Sequence, residues 1–297
     1  MPVLRVTACG LLATALFVFP TQPVAGVTLE TAETVRAKID IAGRQRMLTQ
    51  RIAKSACMIH QGVDVEHFRA ELNKAHKTFS VSFTALIDGK DALGLRPETN
   101  SSVLYQYDKV RKAVGALNAA IRPARKGKAM TDADLAQAAE ANLTTLQAQQ
   151  RAVALLARKY ASVTEGLGEN RAIDFAGAQR MLSQRIAKSY CMVAAGVNVE
   201  AHRIALFSDA ATFSSRLAQL RDGDATMKIP APNPEVAAAI AEVETVWAQM
   251  QVEIKAMEAH APTTREGLTR IAEGSEALLK RSQAVVAAMV APSGTGG

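Results

Sequence analysis

The segment IDIAGRQRMLTQRIAKSACM, residues 39–58, decides the fold because it returns as IDFAGAQRMLSQRIAKSYCM at residues 173–192. Sixteen of the twenty positions are identical at a constant offset of 134 residues. A helix kept only for its core would preserve apolar positions and lose polar ones. Here the polar pairs also persist: Gln45/Gln179, Arg46/Arg180, Gln50/Gln184, Arg51/Arg185 and Lys54/Lys188. The repeat therefore predicts an internal duplication and a polar site present twice in one chain.

The composition favours helices and argues against a nucleic-acid-binding protein. Of the 297 residues, 48% are apolar and only 4% are aromatic, which disfavours sandwiches and barrels. The formal charge of +7 is spread through the chain, whereas nucleic-acid-binding proteins usually carry a dense basic stripe. A moderately basic surface suits small anions, and the length allows two ordinary domains.

The repeat continues beyond the segment, and the glycine, proline and capping residues in each copy divide it into four predicted helices. In the first copy the pattern predicts helices over about 29–59, 65–87, 102–121 and 131–163. Long helices with short connections are typical of up-down four-helix bundles. We therefore predict an all-α protein of two tandem up-down four-helix bundles, residues 28–163 and 164–291, followed by a disordered tail at 292–297. Near Gly166 and Gly168 the chain either ends the first bundle or continues as one fused helix.

Residues 1–26 are typical of a secretory signal peptide. Arg5 precedes a short apolar run over 11–19, Pro20 ends that run, and Ala25 and Gly26 are small enough for a cleavage site. The run is shorter than the roughly 20 residues that a transmembrane helix needs. We expect export to the periplasm, with cleavage near residues 25–26.

One face of the repeated helix places small residues around an arginine. At about 100° per residue, this face carries Gly43, Arg46, Gln50 and Cys57 in the first copy and Gly177, Arg180, Gln184 and Cys191 in the second. Small residues let two helices approach closely, so the face predicts an interface to which each copy brings an arginine. Two guanidinium groups repel unless an anion lies between them, and their planar donors suit oxyanions. The alternative is that Arg46 pairs with an acid such as Asp40. Arg51 and Arg185 are expected to flank this face.

The two cysteines that follow the predicted signal occupy equivalent positions, Cys57 and Cys191. In an oxidising compartment such a pair is a disulfide candidate, and the alternative is two small residues buried in separate cores. If the two first helices pack about a twofold axis, the bridge forms within one chain. If the bundles stand end to end, each face pairs with a second chain of a homodimer, and the bridges are intermolecular or absent.

The pattern around residues 39–51, I-D-x-A-G-x-Q-R-M-L-[ST]-Q-R, resembles the PilJ/NarX-type sensor family. This family comprises the N-terminal domain of type IV pili methyl-accepting chemotaxis transducers and the nitrate/nitrite sensor kinases. The resemblance implies an extracytoplasmic four-helix bundle that binds a small anion, such as nitrate or nitrite, at an interface of first helices. Carried over to this chain, it implies that Arg46 and Arg180 bind the anion, with Gly43 and Gly177 in the same pattern. Gln50 and Gln184, one turn along, are expected to support them.

Two departures from the family pattern bear on function. The position usually held by asparagine is Asp40 and Asp174 here, and a carboxylate there could weaken anion binding or pair with an arginine. No kinase or coiled-coil region follows the second copy, so we expect a signal to pass through a membrane chemoreceptor or sensor kinase. The main hypothesis is an exported oxyanion-binding protein. The alternative is a structural or interaction module that kept the sensor fold and lost the ligand.

Metal binding and catalysis have less support. Met47, Cys57, Met58 and His60 include the soft ligands that copper prefers, but they lie on different sides of the helix, and His60 becomes Ala194 in the second copy. The sequence contains no nucleophile–base pair or phosphate-binding loop. We therefore predict no metal, no cofactor and no enzymatic activity.

Overall fold

A computed structural model of the protein describes residues 30–163 and 170–290. The predicted signal peptide, the glycines near the boundary and the predicted tail lie outside these residues. The described α-helices are α1 Ala32–His60, α2 Val65–Asp88, α3 Ser101–Ala120, α4 Arg122–Arg125, α5 Asp132–Lys159, α6 Asn170–Ala194, α7 Val199–Asp222, α8 Pro234–Glu258 and α9 Arg265–Val290. Within the described part of the chain the extended pairing consists of two isolated bridges, Lys90 with Leu95 and Asp224 with Ile229.

The helices form two bundles, which confirms the all-α fold. Helices α1, α2, α3 and α5 make the first, called unit one, and α6, α7, α8 and α9 make the second, called unit two. Each bundle buries an aromatic cluster in its core. In unit one the rings of Phe83 and Tyr107 meet at 5.7 Å between centroids, and in unit two those of Phe213 and Trp247 meet at 4.4 Å. These contacts join the second and third long helix of each bundle, where the repeat predicted neighbouring elements.

Helix ends follow the capping signals and differ from the predicted limits by a few residues. Thr31 caps α1: its hydroxyl oxygen accepts from the backbone N–H of Thr34, and the hydroxyl oxygen of Thr34 accepts from the backbone N–H of Thr31. The helix therefore begins at Ala32 rather than at residue 29. The predicted fourth helix ends at Lys159, and a separate 3₁₀ turn covers Ala161–Val163. Gly89 ends α2 at a φ of +78°, where an added Cβ would lie 2.6 Å from Pro97. Only glycine fits that turn without strain.

The two units pack along their first helices, α1 and α6. A disulfide joins Cys57 to Cys191, with their Cα atoms 6.2 Å apart, and both residues are fully buried. Equivalent positions of the two repeats therefore meet, as expected for helices that run in the same direction about an approximate twofold axis. Of the arrangements that the sequence left open, the structure has the one in which the two units pair within one chain.

None of the described helices combines the length and the apolar character that crossing a bilayer demands.

Candidate ligand site between helices α1 and α6

The two arginines of the repeated segment lie over glycines of their own helices. A Cβ added to Gly177 would lie 3.2 Å from Nη2 of Arg180, and one added to Gly43 would lie 3.6 Å from Nη2 of Arg46. The distance at Gly177 is tight, so a side chain there would crowd the guanidinium group, whereas that at Gly43 is an ordinary van der Waals contact. The glycine three residues before each arginine therefore makes room for a side chain that lies back along the helix.

Arg180 is nearly buried and is held by three acceptors. Its Nη1 donates to Oε1 of Gln283 on α9 at 2.6 Å, and its Nε donates to the carbonyl oxygen of Gly177 at 3.4 Å. Its Nη2 donates to Oδ1 of Asp40 at 3.2 Å. Asp40 belongs to α1, so this ion pair crosses from unit two to unit one.

The carboxylate of Asp40 is shared between two arginines. Its other oxygen accepts from Nη2 of Arg44, one turn along α1, at 2.9 Å. The Asp40 side chain remains 48% exposed, whereas that of Arg180 is 8% exposed. The sequence allowed an Arg46–Asp40 pair, and the structure instead pairs Asp40 with the arginine of the other repeat. The side chain of Asp174, the counterpart of Asp40, lies outside the described residues.

The glutamines one turn along from the arginines are both fully buried but differ in their contacts. Gln184 donates through Nε2 to the carbonyl oxygen of Ser275 at 2.9 Å. Among the described residues, neither amide atom of Gln50 has a hydrogen-bond partner. A buried polar group without a partner costs about 1–3 kcal/mol. Gln50 is therefore the polar side chain on this face with most to gain from a ligand or a water molecule.

Side chains of the last helix in each unit complete the polar surroundings of α1 and α6. Thr49 donates to Oε1 of Gln149 at 3.0 Å, and Gln149 donates to the carbonyl oxygen of Gln45 at 3.2 Å. Asn142 donates to the carbonyl oxygen of Thr49 at 2.9 Å. Gln149, Asn142 and Gln283 were not predicted from the sequence, because they lie outside the strongly repeated segment. The signal for Gln149 and Gln283 was glutamine in otherwise alanine-rich helices.

Arg51 and Arg185, predicted to flank the site, both make ion pairs with carboxylates; that of Arg185 lies within its own bundle, whereas Arg51 also reaches the other bundle. Arg51 contacts Glu71 on α2 at 3.3 Å and also pairs with Glu276 on α9. Arg185 contacts Asp209 on α7 at 2.8 Å. Burial opposes ionisation of Glu71, but the charges of Lys54 and Arg51 outweigh it and lower the pKa of Glu71 to about 2. These arginines are thus engaged by carboxylates and lie beside, not within, the arginine face of the α1–α6 interface.

The described residues do not form the copper site that was considered from the sequence at Met47, Cys57, Met58 and His60. Cys57 is consumed by the disulfide and has no thiolate for a metal. In the described part of the chain, no three His, Cys, Asp or Glu side chains are grouped as metal ligands.

A small cavity lies inside unit one, between α1, α2, α3 and α5. Its volume is about 10 Å³, and its lining includes Gln45 and Tyr107. Oε1 of Gln45 and the hydroxyl of Tyr107 have no partner among the described residues. This space suits about one water molecule, so it is too small for an organic ligand.

The family model for the type IV pili methyl-accepting chemotaxis transducer N-terminal domain, PilJ, matches this chain twice, at residues 27–157 and 161–271. The chain belongs to the PilJ family. Each match contains one copy of the repeated segment with its arginine, so the two PilJ domains correspond to unit one and unit two. No curated protein matches the chain. Membership makes the chain a tandem pair of sensor-type domains, and in this tandem the two PilJ domains meet through α1 and α6.

Proposed function

We propose that this chain is an extracytoplasmic sensor-type protein that binds a small oxyanion, such as nitrate or nitrite, between α1 and α6. Arg46 and Arg180 are the charged ligands, and Gln50 supplies an amide. The observation that carries the proposal is Gln50, a fully buried amide on the arginine face whose polar atoms both lack a hydrogen-bond partner among the described residues. An oxyanion bound there would accept from its Nε2 and remove part of that cost.

The Arg180–Asp40 pair suggests how binding could be coupled to movement. A carboxylate already occupies the guanidinium group of Arg180, so an incoming oxyanion has to replace it. Asp40 is half exposed and keeps Arg44 as a second partner, so its release from Arg180 leaves no buried charge. Because Asp40 is on α1 and Arg180 on α6, exchange of the carboxylate for a ligand would loosen one contact between the two units. A membrane chemoreceptor or sensor kinase could read that change.

The localisation is proposed on two grounds. Residues 1–26 have the pattern of a secretory signal peptide, and a buried disulfide suits an oxidising compartment. The intact mass of the protein purified from the periplasm tests this. A mass corresponding to cleavage near residues 25–26 supports export, and an uncleaved chain confined to the cytoplasm contradicts it.

Calorimetric titration with nitrate, nitrite, sulfate and phosphate tests the ligand. Loss of one charge-assisted hydrogen bond, about 1.5–3 kcal/mol, corresponds to tenfold or more in affinity. Arg46→Gln and Arg180→Gln should each weaken binding by at least that factor. Asp40→Asn should tighten binding by a similar factor, because it removes the competing carboxylate. Arg36→Gln, a change in an exposed residue near the start of α1, is the matched control.

A second candidate is a structural or interaction module without a ligand, and one observation favours it. All three nitrogens of the Arg180 guanidinium group already have acceptors within the protein. In that case Asp40→Asn only destabilises the protein, and neither wild type nor Asp40→Asn binds any of the four anions. That result would refute oxyanion sensing at this interface.

A further inference from the structure

The two units bury a lysine at equivalent positions, Lys54 and Lys188, but satisfy them differently. Nζ of Lys54 contacts Glu276 at 2.5 Å and Glu71 at 3.1 Å. Nζ of Lys188 donates to Oδ1 of Asn142 at 3.3 Å, and no carboxylate pairs with it among the residues that the structure describes. Both side chains are buried, so within the described residues the ammonium group of Lys188 is enclosed by the protein without a direct ion pair.

The comparison of the repeats explains the difference. Glu71 on α2 corresponds to Ala205 on α7, at the offset of 134 residues. Lys54 also contacts Ser275, and Lys188 contacts Asn142, so Ser275 and Asn142 are structural equivalents. The next residue along, Glu276 in one case, is Leu143 in the other. The surroundings of Lys188 therefore lack both carboxylates that neutralise Lys54: Ala205 on α7 replaces one, and Leu143 on α5 of unit one replaces the other.

A second orphaned group lies beside the lysine. Ser55 donates its hydroxyl to Glu71 in unit one. Its counterpart Ser189 is fully buried, and its hydroxyl has no partner within the described residues, since Ala205 offers no acceptor. The cation and the hydroxyl that hold a carboxylate in unit one are thus both present in unit two, without the carboxylate.

The charges of unit two do not compensate for this loss. Asp209, one turn beyond Ala205, makes its ion pair with Arg185 and acts on Lys188 only as a nearby negative charge. The local groups Arg185, Lys188 and Asp209 sum to one positive charge, whereas Arg51, Lys54, Glu71 and Glu276 sum to zero. Burial, reinforced by Arg185 and only partly opposed by Asp209, lowers the pKa of Lys188 to about 8, and the ammonium form still dominates at neutral pH. An uncompensated buried cation favours an anion from solvent.

The residues at the positions equivalent to Glu276 and Phe68 add no charge beside Lys188. Leu143 is 55% exposed, although Glu276, at the equivalent position, is more enclosed. His202 takes the place of Phe68, whose ring lies 5.4 Å from Nζ of Lys54. His202 is only partly buried, and burial together with Lys188 lowers its pKa to about 4, so it is neutral near pH 7. A neutral imidazole and an exposed leucine border the site without adding charge.

We propose that unit two binds a small monovalent anion, a halide or a small carboxylate, at Lys188 and Ser189, in the place that the Glu71 carboxylate occupies in unit one. This site is separate from the arginine face and does not depend on the proposed function. The anion accepts from the ammonium group and from the hydroxyl, and it neutralises the buried charge.

Thermal melting of the mature protein in sodium chloride and in sodium formate tests the proposal, with a bulky sulfonate salt at equal ionic strength as reference. A ligand at about four times its Kd stabilises the protein by about 1 kcal/mol, which raises the melting temperature by about 2–4 °C for a chain of this size. Wild type should show that rise, and so should Arg180→Gln, which alters only the arginine face. Equal melting temperatures of wild type in all three salts would overturn the proposal. A rise with formate but not chloride, or the reverse, identifies the anion.

Variants that restore the unit-one arrangement make the test specific. Leu143→Glu, at an exposed position, and Ala205→Glu should each melt higher than wild type in the sulfonate salt and lose the response to chloride and formate. Lys188→Met should lose the response without requiring a new charge. The converse change, Glu71→Ala, should make unit one responsive. If Lys188→Met and Leu143→Glu both keep the full wild-type response, the site is not at Lys188.

Discussion

The disulfide between α1 and α6 should dominate the stability of the pair. It closes a loop of 134 residues, and the chain-entropy model assigns such a loop about 5 kcal/mol through restriction of the unfolded chain. For a domain pair of this size, 1 kcal/mol shifts the melting temperature by about 2–4 °C, so loss of the bridge should lower it by about 10–20 °C. Both cysteines are fully buried, so a reductant should act only after the interface opens.

The assay compares melting of oxidised protein with that of protein unfolded, reduced and refolded in the presence of reductant. The control is the double variant Cys57→Ala, Cys191→Ala, whose melting temperature should be low and unaffected by reductant. Non-reducing mass spectrometry of the monomer checks that the bridge is intramolecular. If reduced and oxidised wild type melt within about 2 °C of each other, the entropic argument is wrong. If the oxidised protein is a covalent dimer or has two free thiols, the pairing itself is wrong.

Two further predictions concern a turn and a buried charge. Gly89→Ala should destabilise unit one by more than 1 kcal/mol in denaturant titration, because the residue has a φ of +78° and its Cβ would meet Pro97 at 2.6 Å. The control, Gly115→Ala, lies inside α3 with open space around it and should instead stabilise unit one by about 0.4–1 kcal/mol. Equal changes in stability for the two variants would contradict the account of the turn at Gly89. Folding lowers the pKa of Lys188 from its ordinary 10.5 to about 8. Between these two pH values the unfolded chain binds more protons than the folded protein. The free energy of unfolding should therefore rise with pH in this range, by at most about 1.4 kcal/mol per pH unit. Lys188→Met should flatten that rise in chloride-free buffer while Lys74→Met, at an exposed position, should not, and identical slopes would contradict the assignment.

The repeat made the fold predictable from the sequence, but it could not predict contacts between the repeats. Asp88-Gly89 and Asp222-Gly223 marked the ends of α2 and α7, because glycine at positive φ is a local signal. The short helix Arg122–Arg125 was missed, because Pro123 reads equally well as a terminator and as a first-turn residue.

In the candidate site, too, local features were predictable from the sequence, whereas contacts between the repeats were not. Helical periodicity correctly placed the small residues of α1 and α6 on one interface, since that face follows from local geometry. It did not predict that Asp40 would pair with Arg180 of the other repeat, because a partner on α6 depends on how the two units pack, whereas Arg46 lies about 120° from Asp40 around the same helix. Nor did it predict the buried pair of Lys38 with Glu98, residues 60 positions apart, for which the sequence carries no spacing signal.

Because α1 and α6 pair inside one polypeptide, the pairing does not depend on protein concentration, and the two units can change independently in evolution. Two separate chains that meet through such helices dissociate on dilution and exchange partners with other copies. Here the halves are always present in equal number and never exchange, so the assembled state is independent of protein concentration. A mutation in one unit also leaves the other unit of the same molecule unchanged. Each unit can therefore accumulate changes that a symmetric homodimer would have to carry twice. The difference between Glu71 in unit one and Ala205 at the equivalent position of unit two is such a change.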